Sequence, residues 1–174
     1  HVEPRTLLGQ ILCPNASDLT ALATRVTQQQ STWTQHLHDT VLAGCYQRGG
    51  GVRSITLRTW DTQGSLDLWI DPVDAMGANL VTQAAGLIKT QLEKEGYTLG
   101  PAIVSNHGGT LSHAECRLKI AAPLAKKITT LSQWANADTY RAVTHNKGIM
   151  NGVDAVVLAT GNDWRAVEAG VHAY

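Results

Sequence analysis

Two stretches of alternating side chains, separated by a turn, constrain this chain most. In residues 52–60, Ile55 and Leu57 alternate with polar neighbours, and in residues 65–70, Leu66, Leu68 and Ile70 do the same. Alternation of this kind marks strands with one buried face. Asp61-Thr62-Gln63-Gly64 between them reads as the turn of a hairpin. The polar alternate positions suit a sheet with one wet face.

The flanking segments supply what covers the other face. Residues 7–13 (LLGQILC) read as a buried strand that ends at Pro14-Asn15. Ser17 or Asp18 can then cap a helix in which Leu19, Leu22, Ala23 and Val26 follow helical spacing. A second helical stretch is expected from Trp33 to Cys45, before Gly49-Gly50-Gly51 breaks the chain. Asp74 can cap a long helix whose stripe is Leu80, Ala84, Leu87, Ile88 and Leu92, with Gly96 as its stop. Residues 113–120 alternate again, with Ala114, Cys116, Leu118 and Ile120 on one face. The order strand, helix, strand, strand, helix, strand predicts an α+β fold with a ferredoxin-like βαββαβ sheet. After Pro123 the pattern is helical. The expected division is a small domain over residues 1–121 and a helical unit over residues 122–174.

Composition narrows the function classes. Formal net charge is zero, so nothing favours a nucleic-acid or membrane-surface binder. No apolar run reaches the length of a membrane span. Cys13, Cys45 and Cys116 have no close spacing, which argues against a disulfide framework or zinc site and makes a reduced cytoplasm the simplest compartment. His107, His113, His145 and His172 form no metal-ligand pattern, so no metal is expected. The chain begins without Met and stops inside a helical pattern, which suggests a piece of something longer.

Chemistry concentrates in two places. Asp74-Ala75-Met76-Gly77-Ala78-Asn79 opens a helix, and helix N-termini present free N–H groups that suit phosphates. Spacing alone is explained better by ordinary capping and tight helix packing. No GxGxxG follows a strand, so a Rossmann domain is not indicated. The glycine run after Arg48 can serve phosphate approach, although a flexible connection is the simpler account. Asn106 can bond a ligand amide or ribose, although a turn-forming Asn is the simpler account.

The second place is residues 144–165. Lys147, Asn151 and Asp163 bracket an apolar run, 153–158, that is expected to be buried. A Lys beside a developing alkoxide stabilises it, and a nearby carboxylate keeps the Lys protonated. Asn151 lies four residues after Lys147, on the same helical face. On ordinary expectations Asp163 caps the helix carrying Trp164, Val167 and Val171, and Lys147 is solvated. A straight helix from Lys147 to Asp163 would hold them ~24 Å apart. Either the helix breaks at Gly148, Gly152 or Gly161, or the two residues serve sites built from two protomers.

The strings HNKGIMNG and ATGNDWRAVEAG, with DAMGAN upstream, resemble bacterial class II 3-hydroxy-3-methylglutaryl-coenzyme A (HMG-CoA) reductase. The resemblance covers essentially the whole chain, most loosely at residues 14–48. It implies an NAD(P)H-dependent oxidoreductase of the mevalonate (isoprenoid) pathway. Two hydride transfers turn HMG-CoA into mevalonate and free CoA. It implies that Lys147 polarises the thioester and aldehyde carbonyls and that Asp163 is the catalytic aspartate. Arg141 and Asn151 fall on substrate-binding or supporting positions. Asp74, Met76, Gly77, Asn79 and Asn106 fall on cofactor-binding segments. A catalytic Glu is expected before residue 1 and a His after residue 174, so these 174 residues alone are expected to be inactive. The resemblance also implies a homodimer or higher even oligomer with a composite site. NADH or NADPH can serve; Arg48, with no acid in residues 42–48, favours NADPH. The alternative is a non-catalytic ferredoxin-like module that binds a nucleotide or CoA-like ligand. It accounts for residues 1–120 but not for the Lys147/Asp163 segment.

Overall fold

The computed structural model describes residues 5–108 and 115–173. These fall into two compact units, divided between residues 112 and 113.

The first unit is a four-stranded antiparallel sheet with helices. β1 (Leu7–Cys13) leads into α1 (Ala16–Asp39), then a short α2 (Ala43–Gln47). The hairpin β2 (Gly51–Trp60) and β3 (Gln63–Asp71) follows, then α3 (Ala78–Lys94) and β4 (Ala102–Ser105). The sheet order is β2-β3-β1-β4, and all three pairings are antiparallel. The hairpin turn is tighter than expected: Trp60 pairs with Gln63, which leaves only Asp61 and Thr62 in the loop.

The core lies on one face of this sheet. Ile11, Cys13, Ile55, Leu66, Leu68 and Ile70 meet Leu22, Val26, Trp33 and Leu37 of α1 and Val81, Ala84, Ala85, Ile88 and Leu92 of α3. Both helices present apolar residues at helical spacing, as a buried stripe requires. α1 does not divide at its polar middle (TQQQST). That segment has no Gly or Pro, and Trp33 and Leu37 continue the stripe set by Leu22 and Val26. Its N-cap is Asn15, with no side-chain cap bond, so neither Ser17 nor Asp18 takes that position.

The other sheet face is polar yet not simply wet. Ser65 and Asp67 are 3% and 4% exposed. Asp67 accepts from Arg58 Nε at 2.9 Å, from Gln10 Nε2 at 3.3 Å, and from the Ser65 hydroxyl. Three donors on one carboxylate make its burial tolerable.

The last strand is not where alternation placed it. β4 occupies residues 102–105 and pairs with β1 from Leu8↔Ser105 to Ile11↔Ala102. Residues 115–120 form no strand, and Leu118 is 79% exposed. His113 and Ala114 of the expected strand lie outside the described residues. Side-chain alternation is only half of a strand, because an edge partner must accept its backbone groups, and β4 already holds that side of β1.

The second unit contains α4 (Ala122–Ala137), α5 (Thr139–Ala159) and α6 (Trp164–Val171). Pro123 sits in the first turn of α4, where its missing N–H costs nothing. Asp138 caps α5 by accepting from the N–H groups of Tyr140 and Arg141. The apolar run at 153–158 is not buried as expected: Val156 is 64% and Leu158 59% exposed.

Candidate functional site

The segments singled out for cofactor binding converge at one end of the sheet. β2 begins there at Gly51, opposite Asp71 at the end of β3. β1 begins beside them, with Leu7 opposite Ile70. Ser105 pairs with Leu8, which places Asn106 at the same end. The turn 72–77 and the N-terminus of α3 complete the group. Asn106, Asp74, Met76 and Asn79 are all exposed there.

Asp74 does not cap α3. The helix starts at Ala78 with Gly77 as N-cap, in the left-handed region at φ 87. Asp74 pairs instead with Arg48, Nε to Oδ1 at 3.0 Å, and the Arg5 guanidinium holds the turn by donating to the Ala75 and Met76 carbonyls at 2.6 and 3.2 Å. The first turn of α3 therefore has no side-chain cap and no acidic residue. Its N–H groups and positive dipole end are open to an anion.

The glycine run is neither a flexible connection nor an open phosphate loop. A Cβ on Gly50 would lie 2.4 Å from Val73 Cγ2 and 2.5 Å from the Asp71 carbonyl oxygen. A Cβ on Gly51 would lie 2.5 Å from His38 Nε2. The run is threaded between α1 and the turn. His38 stacks on Tyr46 at 4.0 Å, and its Nε2 accepts the Val52 N–H at 2.9 Å. Burial pushes the His38 pKa down, and Arg53 adds to this while Asp39 opposes it. The neutral form is the one that can accept this bond.

Three residues here escaped sequence reasoning: Arg53, Asp71 and Val73. A β-bulge between Val52 and Ser54 frees Arg53 from the ladder. Its guanidinium reaches Asp71 Oδ2 at 2.7 Å and the Gly49 carbonyl at 2.8 Å. Asp71, 5% exposed, also accepts the Val73 N–H through Oδ1 at 2.8 Å. Val73 has φ 59, a strained conformation for a β-branched residue. The one available signal was an Asp ending an apolar strand just before a Pro.

In the second unit, α5 runs unbroken through Gly148 and Gly152, so neither glycine breaks it. The chain turns at Gly161 (φ 71), where the N–H groups of Gly161 and Asn162 bond the carbonyls of Leu158 and Val157. This is a Schellman stop. Twelve residues of helix, about 18 Å, separate Lys147 from Ala159. Among the described residues no hydrogen bond or ion pair joins Lys147 to Asp163. Asp163 Oδ1 caps α6, accepting from the N–H groups of Arg165 and Ala166 at 3.1 and 3.2 Å. Lys147 and Asn151 are exposed on one face of α5. Asp154 extends that stripe by one turn, and its buried Oδ1 has no hydrogen-bond partner among the described residues. Arg141 lies over the Trp134 ring at 5.5 Å, with its Nε buried and without a hydrogen-bond partner among the described residues.

Comparison with known proteins agrees across the chain. The hydroxymethylglutaryl-coenzyme A reductase family profile matches residues 2–174. A probable 3-hydroxy-3-methylglutaryl-coenzyme A reductase of Borreliella burgdorferi is 35% identical over 181 residues, covering 96% of this chain and 41% of the relative. The corresponding reductase of Archaeoglobus fulgidus is 37% identical over 139 residues, covering 72% of this chain and 31% of the relative. A class II reductase structure from Streptococcus pneumoniae, bound to NADPH in open conformations, superposes with a TM-score of 0.81 at 29% identity. That match covers 98% of this chain and 50% of the other. The chain thus spans half or less of these relatives' length, and it belongs to the hydroxymethylglutaryl-coenzyme A reductase family.

Proposed function

We propose that this chain forms the cofactor-binding unit and part of the catalytic unit of an enzyme that reduces HMG-CoA to mevalonate and CoA. The observation that carries this is the convergence of the 74–77 turn, Asn106 and the uncapped α3 N-terminus at one end of the sheet. The donor set fits a dinucleotide: open helix N–H groups suit its pyrophosphate, and exposed Asn79 and Asn106 suit its amide or ribose. Asp74, Met76 and Gly77 shape the turn beside it. When bound, the nicotinamide supplies the hydride. NADPH is the favoured cofactor, because Arg48 stands beside this turn and the S. pneumoniae relative was solved with NADPH.

Lys147 hydrogen-bonds the carbonyl oxygen of the thioester, then of the aldehyde. It stabilises the negative charge that grows there, an effect typically worth about 3 kcal/mol. Arg141, steadied over Trp134, offers its guanidinium to the substrate carboxylate. Asn151 supports Lys147 from the next turn of α5. Asp163 uses only Oδ1 for its cap, and Oδ2 takes part in neither cap bond. About 18 Å of helix between Lys147 and the end of α5 supports a site assembled from two protomers. Exposed Val143, Ile149, Val156 and Leu158 on α5 support a homodimer or higher even oligomer.

The strand order β2-β3-β1-β4 with antiparallel pairing supports a ferredoxin-like sheet. A second unit whose helices begin at residue 122 is supported by the start of α4 at Ala122, although the two compact units divide earlier, between residues 112 and 113. No helix among the described residues is long and apolar enough to cross a membrane. Cytoplasmic residence is supported by the unpaired Cys13, Cys45 and Cys116. The test is NADPH oxidation by the whole enzyme. It should require HMG-CoA and vanish in Lys147→Ala. Oxidation that ignores HMG-CoA would sink the reading.

A further inference from the structure

We infer that Asp71 and Val73 are positioning residues that hold the 74–77 turn in its cofactor-binding shape before the cofactor arrives. This rests on the reading of that turn as the cofactor site.

Val73 is the residue that enters the turn, and it does so at φ 59. A β-branched residue stays in the left-handed region only where its surroundings over-determine it. Three contacts do so here. Asp71 Oδ1 accepts the Val73 N–H at 2.8 Å, which fixes the peptide plane. Gly50 packs beneath the side chain so closely that a Cβ there would lie 2.4 Å from Val73 Cγ2. Pro72 fixes the φ of the intervening residue.

Asp71 is itself pinned. Arg53 donates to Asp71 Oδ2 at 2.7 Å and to the Gly49 carbonyl at 2.8 Å, so one guanidinium ties the end of β3 to the glycine run. Asp71 is buried while Asp74 and Met76 beyond it are exposed. The strain therefore sits at the joint between a rigid strand end and an open turn. Strain held next to a binding surface, rather than in the core, is the arrangement that pre-organises a site. Without it the turn samples other shapes, and binding must select among them.

The test uses the whole enzyme and separates KM for NADPH from KM for HMG-CoA and from kcat. Val73→Gly removes the strain and its anchor, and glycine tolerates φ 59 freely. This variant should melt at or above the wild-type temperature yet raise KM for NADPH about tenfold, because pre-organisation is lost. Its kcat and its KM for HMG-CoA should stay put. Asp71→Asn, folded by circular dichroism, should shift the same parameter. Val73→Thr keeps the β-branch and should restore wild-type KM. Asp74→Ala, in the turn itself, checks the underlying reading. If Asp74→Ala weakens NADPH binding but Val73→Gly and Asp71→Asn leave it within twofold of wild type, the positioning role is refuted while the cofactor site stands. If Asp74→Ala also leaves NADPH binding unchanged, the cofactor reading of the turn fails and the positioning role falls with it.

Discussion

Alanine placed at each of the three glycines 49–51 should give a graded series, because each position is constrained for a different reason. Gly49 has φ 90 and open space around its Cβ position. Gly49→Ala therefore costs only the left-handed backbone penalty of an L residue, about 1–2 kcal/mol. Gly50 has no such φ, but its Cβ would meet the Asp71 carbonyl oxygen at 2.5 Å and the Cys45 carbonyl oxygen at 3.2 Å. Backbone oxygens cannot swing aside, and the Gly50 N–H is already bonded to Cys45 O at 2.9 Å. Overpacking of this kind costs roughly 1–3 kcal/mol, and the two carbonyls put Gly50→Ala at the upper end. Gly51 combines both faults: φ 106, and a Cβ 2.5 Å from His38 Nε2. The ring cannot turn away without losing its stack on Tyr46 and its bond from Val52 N–H. Adding the two penalties puts Gly51→Ala at roughly 2–5 kcal/mol. Urea unfolding followed by tryptophan emission, to which fully buried Trp33 contributes, reads the series. With a slope of about 2 kcal/mol/M, the midpoint should fall by about 0.5–1 M at position 49, about 1.5 M at position 50 and about 1–2.5 M at position 51. A Gly50→Ala midpoint no lower than that of Gly49→Ala would refute the packed-joint account.

Other expectations follow from the same geometry. His38 is buried as the neutral acceptor of Val52 N–H, and its pKa is held below the usual value of 6.5. Its contribution to stability is therefore complete above 6.5 and lost as pH falls through the depressed folded pKa. His38→Gln should flatten the stability–pH curve in that window; an unchanged slope would discount the histidine. Asp163→Ala removes the cap of α6 and should lower stability by ~1 kcal/mol. It should also abolish reduction, whereas Asp163→Asn should keep much of the cap and still lose activity. If Asp163→Asn is active, the residue is a cap and no more. Asp154→Ala should leave the fold intact, since its buried Oδ1 has no partner to lose among the described residues. A drop of several kcal/mol in urea unfolding would reveal one.

The sequence was most legible where two signals agreed. Residues 7–13 and the 52–70 hairpin combine alternation with a turn or a Pro, and the structure places strands there. Asp163 followed by a helical stripe reads as a cap, and it is one. The reading failed where local chemistry met a distant partner. Asp74 looks like an N-cap, but Arg48 holds its carboxylate and Gly77 takes the N-cap position. The alternation at 113–120 has no strand to pair with among its described residues, while four residues at 102–105 suffice because β1 offers an open edge. Gly148 and Gly152 each cost a helix about 1 kcal/mol, which does not stop one capped firmly at Asp138. For the site, the motif strings pointed to the 74–79 segment and Asn106. The Arg53–Asp71–Val73 joint was invisible, because it depends on a bulge and on contacts across the sheet end.

The proposed reaction of the whole enzyme is a thioester reduction with two hydride transfers. It is tested most directly by counting NADPH oxidised against CoA thiol released by the whole enzyme acting on HMG-CoA. Two NADPH per thiol are expected in the wild type, and neither NADPH oxidation nor thiol release in Lys147→Ala. One NADPH per thiol, or thiol release that persists without Lys147, would contradict it.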